Sequence, residues 1–189
     1  MNHADLTMGE QHAYDAARFA ELVDSAAAED WARPSPVAAW SALDVVTHLI
    51  EWPRAFLQSS AGMDLPTLEV AADPAAAWKR HTADIQALFD DPAGRAVSNP
   101  HTGDQPVDVA LSQIYTPDIW MHSWDLARAL GRDFDLGAER AAATLAGATA
   151  MENAMRSSGQ FGPRVEVSSD ASPQERLLGF IGRDPYWRP

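Results

Sequence analysis

Alanine sets the limits of this fold. Thirty-five of the 189 residues are Ala, gathered in runs at 26–28, 75–77 and 141–143, and Ala loses no side-chain entropy in a helix. Only one stretch, 164–168 (RVEVS), alternates as a strand would. The predicted class is all-α: a bundle of long amphipathic helices with a short extra C-terminal helix and one short strand. The length fits a single domain, 1–189.

Local signals place the helices. The first is expected over about 9–29, with Ala13, Ala17, Ala20 and Val23 near helical spacing. The second opens at Ser41-Ala42-Leu43-Asp44, a variant capping box, and runs through Val45, Leu49 and Trp52 to Pro53, which ends or kinks it. Asp73-Pro74 caps a third helix that reaches about Asp90. The segment from Asp91 to Pro106 is rich in turn residues, including Gly94, Asn99-Pro100 and Gly103. A fourth helix is expected over about 107–130, with Pro117 inside it and Gly131 as its stop, and a fifth over about 137–157. Ser172-Pro173-Gln174-Glu175 is a second capping box, opening a short helix that carries Leu177, Leu178 and Phe180.

Composition removes whole classes of chemistry. Fourteen Lys+Arg against 27 Asp+Glu leave a formal charge of −13 with no basic patch, so nucleic acid and anionic membrane surfaces are repelled. No Cys is present, which excludes disulfides, Cys-ligated zinc, iron–sulfur clusters and a cysteine nucleophile. No secretory signal is recognisable and no apolar run is long enough to span a bilayer, so a cytoplasmic protein is expected. Phosphate loops, a G-x-S-x-G elbow and an H-E-x-x-H helix are also missing from the sequence.

A metal, if there is one, must therefore sit on His and carboxylates. Asp118 and His122 are four apart, a spacing that stacks two side chains on one helical face within reach of a common ion. Composition alone would supply roughly one acid-x-x-x-His pair among six histidines. The chain has a second, Asp44 with His48, but Asp44 already has a structural task in the capping box. His48, mid-helix, is the candidate third ligand, with a half-buried histidine bonded to a carbonyl as the alternative. Asp125 either pairs with Arg128 or orients His122 as an outer carboxylate. Trp40, Trp120 and Trp124 could wall a pocket, Trp124 and Arg128 are candidate cofactor-binding residues, and Arg183 is either a carboxylate partner or a solvated side chain.

Three blocks of sequence resemble the DinB/YfiT-like, mycothiol-dependent maleylpyruvate isomerase N-terminal superfamily. They are Trp40-Ser41-Ala42-Leu43-Asp44-Val45-Val46-Thr47-His48-Leu49, the stretch Asp118-x-x-x-His122-x-Trp124-Asp125-Leu126-Ala127-Arg128-Ala129, and the tail from Ala171 to Pro185. The resemblance implies a four-helix bundle holding zinc or nickel on His48, Asp118 and His122. Relatives carry Glu or His where this chain has the shorter Asp118. It further implies a metal-dependent enzyme in which a low-molecular-weight thiol, mycothiol, is transferred to a small electrophile or serves its isomerisation. Small-molecule substrate and thiol are the expected partners, with a homodimer as the candidate assembly. The reading from a different class is a non-catalytic, ligand-binding or dimeric stress-related bundle, for which Trp31, Trp52 and Trp78 would form exposed contact surface.

Overall fold

The computed structural model describes residues 3–99, 103–157, 159 and 161–189. Pro100 and His101, which belong to the turn-rich segment and the histidine set above, lie outside the described residues. Four helices build the main body: α1 (Met8–Asp24), α2 (Ala42–Ala61), α3 (Pro74–Asp90) and α4 (Val107–Ala129). α1 packs on α4 and α3, and α2 packs on α4 and α3. The shared core includes Phe19, Val45, Leu49, Trp78, Ile85, Leu111 and Ile119, all at or below 1% exposure. Each such side chain contributes about 1.5–3 kcal/mol when fully buried.

The capping boxes form as read. Ser41 accepts from the Asp44 amide while Asp44 Oδ2 accepts from the Ser41 amide at 2.8 Å, and Ser172 and Glu175 do the same at the start of α7 (Pro173–Ile181). Thr7 and Glu10 add a third box at the start of α1.

The remaining boundaries show where tertiary packing overrode local preference. α1 stops at Asp24, and Ala26 and Ala27 lie in irregular chain leading into a 3-10 turn, Ala28–Ala32, capped by the Asp30 carboxylate. Pro53 does not end α2, which continues to Ala61. Its ring is buried, and the apolar face Val45, Val46, Leu49, Ile50 and Leu57 outweighs the one bond that Pro53 cannot give the Leu49 carbonyl. Pro117 is likewise carried inside α4. The expected strand over 164–168 is extended and alternates in burial, but it joins no sheet. Its Val165 amide donates instead to the Gly179 carbonyl of α7 at 2.9 Å. The paired strands, β1 (Ala96–Asn99) and β2 (Gly103–Pro106), form a small antiparallel hairpin in the segment read as turns.

The fifth predicted helix is divided at Met151 into α5 (Ala138–Ala150) and α6 (Glu152–Ser157). α5 packs against α7, and together they cover the C-terminal half of α4 through Trp120, Trp124, Leu136, Ala141, Leu177 and Phe180. The C-terminal end of α4 is consequently buried on all sides: every residue from His122 to Ala129 is buried. No helix among the described residues is long and apolar enough to cross a membrane.

Candidate metal centre

α2 and α4 lie side by side and bring their polar residues to a common point. His48, Asp118 and His122 each offer one donor atom, and these atoms all lie within 4.8 Å of one another. His48 Nε2 is 3.3 Å from Asp118 Oδ2, and His122 Nε2 is 3.5 Å from Asp118 Oδ1. The side chains are 30%, 21% and 9% exposed respectively, so His48 is the most accessible of the three to solvent and His122 the least.

Its surroundings are ordered. The Trp52 indole Nε1–H donates to Asp118 Oδ2 at 2.8 Å. His122 Nδ1 is 2.9 Å from Asp125 Oδ2, and Arg183 grips the same carboxylate twice, at 2.9 and 3.1 Å. Trp40 lies across both imidazoles, with ring centroids 4.8 Å from His48 and 5.8 Å from His122. The residue before it, Ala39, holds a left-handed backbone at φ 65°, an uncommon conformation for a residue with a Cβ.

Electrostatics follow from this packing. Burial alone would raise the Asp118 pKa, but the charge of His122 and the contacts from His48 and Trp52 outweigh it and hold the carboxyl below its usual range. Burial would lower His122, yet Asp118 and Asp125 facing its two nitrogens push it above the ordinary imidazole value. Asp125, buried as well, is held below the carboxylate range by His122 and Arg183.

The donor set suits a divalent ion. Two imidazoles and one carboxylate match zinc, and they also match nickel and other borderline metals. Asp125 accepting from Nδ1–H leaves the Nε2 lone pair of His122 directed at the cluster, the usual arrangement around a metal-bound imidazole.

The other predicted residues have different stations. Asp44 is spent in its cap and stays out of the cluster. Asp125 pairs with Arg183 and His122, whereas Arg128 bonds Asp133 and the Pro185 carbonyl. Trp120 is buried and donates to the Leu136 carbonyl at 3.1 Å. Trp124 and Arg128 line a cavity of about 470 Å³ with Phe134, Gln174 and Pro185, and none of the three clustered donors is among its lining residues. Trp78 is 1% exposed and Trp31 and Trp52 are half-buried, so the exposed aromatic surface expected for a non-catalytic bundle is not formed by them. Sequence reasoning missed the link from Trp52 to Asp118. Its only trace is that Trp52 follows His48 by one helical turn.

Residues 13–127 match the family described as Mycothiol maleylpyruvate isomerase N-terminal domain. Two proteins of Mycobacterium tuberculosis, "Uncharacterized protein MT0763" of strain CDC 1551 / Oshkosh and "Uncharacterized protein Rv0738" of strain ATCC 25618 / H37Rv, are similar along their whole length. Each is 30% identical over 189 residues, covering 95% of this chain and 98% of the relative. No solved structure matches the chain significantly.

Proposed function

Because the chain belongs to the mycothiol maleylpyruvate isomerase N-terminal domain family, we propose that it is a divalent-metal-dependent enzyme using a low-molecular-weight thiol, mycothiol, in transfer to or isomerisation of a small electrophile. The observation that carries the metal part is the convergence of His48, Asp118 and His122 from two helices within 4.8 Å. These three residues would hold zinc or nickel. When bound, such an ion supplies Lewis acidity that favours the thiolate form of a thiol at neutral pH.

The chain's own groups prepare the site for that chemistry. Asp125, braced by Arg183, fixes the tautomer and plane of His122. Trp40 shields one side of both imidazoles from water and offers an aromatic face to an incoming ligand. Three protein donors leave room in the coordination sphere for a small molecule. Thiol and electrophile would be small molecules entering from the half-exposed side at His48.

Elemental analysis of protein purified without chelator tests the reading, followed by melting curves with added Zn2+ or Ni2+. Near-stoichiometric metal and a raised Tm are expected, with thiol conjugation to a panel of electrophiles dependent on that metal. Metal content under about a tenth of an equivalent, with no shift on addition, would overturn it.

A further inference from the structure

We propose that Trp52 is a positioning residue for Asp118, so that its indole N–H determines how tightly the site holds a metal ion. The inference rests on the metal reading above. Asp118 has three groups within bonding reach among the described residues: His48 Nε2 at 3.3 Å, His122 Nε2 at 3.5 Å and Trp52 Nε1 at 2.8 Å. The first two are candidate ligands, whose Nε2 lone pairs would turn from the carboxylate to an ion. Only the indole can keep its bond to the carboxylate while an ion is bound. Without it, the short Asp118 side chain would have no fixed partner outside the coordination sphere.

The indole is itself held in place. Trp52 follows His48 by four residues on α2, so ligand and positioning group leave the same helical face. Its ring meets Phe56 at 6.3 Å and Tyr115 edge-on at 5.8 Å and 73°. Tyr115 is fully buried, with its hydroxyl 2.7 Å from His81 Nε2. Arg54 Nε donates to His81 Nδ1 at 3.1 Å and its Nη2 bonds Asp84 at 3.0 Å. Because Nδ1 accepts, Nε2 carries the His81 proton and donates to Tyr115. Polar contacts thus run from α3 to the ring that supports Trp52, and the bond from Trp52 to Asp118 ties α2 to α4 between the ligand residues.

The test compares Zn2+ affinity, by competition with a chromophoric chelator, in the unaltered chain, Trp52→Phe and Phe56→Leu. Trp52→Phe keeps a ring and removes the donor, and Phe56→Leu disturbs the same aromatic row without touching Asp118. Trp52→Phe is expected to weaken Zn2+ binding about tenfold or more, the usual effect of losing an outer-sphere partner, while Phe56→Leu, which loosens the indole but keeps its N–H, weakens it clearly less. A second measurement leaves Trp52 intact: the indole N–H resonances in a 15N-labelled chain, where Asp118→Asn is expected to shift the Trp52 signal. Equal weakening by both aromatic variants, unchanged affinity in Trp52→Phe, or an unmoved indole resonance each overturns the proposal. Unaltered protein that binds no metal overturns the reading beneath it, and the proposal with it.

Discussion

Asp125 Oδ2 lies 2.9 Å from His122 Nδ1, and the carboxylate that makes this contact is only 2% exposed. A buried anion in that place both sets the imidazole and depends on Arg183 for its own compensation. Asp125→Asn removes the charge while keeping the volume. It should lower zinc affinity by about 10–100-fold and stability by about 3 kcal/mol, since Arg183 is left without its partner. Chelator competition and urea unfolding measure the two effects separately.

A metal ion at His122 would compete with a proton, and the ring's pKa stands above the ordinary imidazole value because Asp118 and Asp125 outweigh its burial. In metal-free protein this raised pKa stabilises the fold at acid pH, and that contribution is lost as pH rises through the folded value. Metal binding requires the neutral ring, so it strengthens over the same rise. The Tm increase produced by Zn2+ should therefore be small near pH 6 and grow toward pH 8. An increase independent of pH would show that His122 is not a ligand.

The two acid-x-x-x-His pairs of the sequence separate by function. Ser41→Ala should cost about 0.5–2 kcal/mol through loss of the α2 cap and leave the number of zinc ions bound unchanged, because Asp44 serves Ser41. His122→Ala or His48→Ala should each remove most of the metal signal. Calorimetric titration of the three variants distinguishes them.

His12 titrates in the opposite sense to His122. It is wholly buried, stacked 5.0 Å from Phe89, and neither ring nitrogen has a hydrogen-bond partner among the described residues. Burial pulls its pKa down to about 4, with Asp90 opposing. The unfolded chain then binds more protons than the folded one between that value and 6.5, so stability falls as pH drops through this window. The gap corresponds to on the order of 3 kcal/mol. His81 is lowered for the same reason and adds to the slope. His12→Leu should flatten the dependence of urea midpoints between pH 7 and 5 without abolishing it.

Gly179 lets the extended segment at Val165 lie directly on α7. A Cβ at Gly179 would come within 2.5 Å of the Val165 carbonyl oxygen, a contact that backbone atoms cannot relieve by rotating. Gly179→Ala should destabilise by about 1–3 kcal/mol, and thermal melts would report it.

What could be read from the sequence was what depends on neighbours along the chain. The boxes at Ser41 and Ser172 involve residues three apart, and the Asp118/His122 pair needs only helical spacing. His48 was a candidate from its mid-helix position, and the family resemblance joined it to the pair, since periodicity does not reveal which helices adjoin. Arg183 lies 58 positions from Asp125 and Trp52 lies 66 from Asp118, so their pairings arise from packing alone. The strand assignment failed at 164–168 because alternation reports a half-buried extended chain, and there the partner is a helix carbonyl in place of a second strand.

The burial of every residue from His122 to Ala129 has an evolutionary consequence. One side of this stretch serves the cluster and another supports the C-terminal helices, so a substitution there disturbs both at once. Substitutions accepted in relatives of this chain should therefore gather on the exposed faces of the neighbouring helices, while this segment stays nearly frozen.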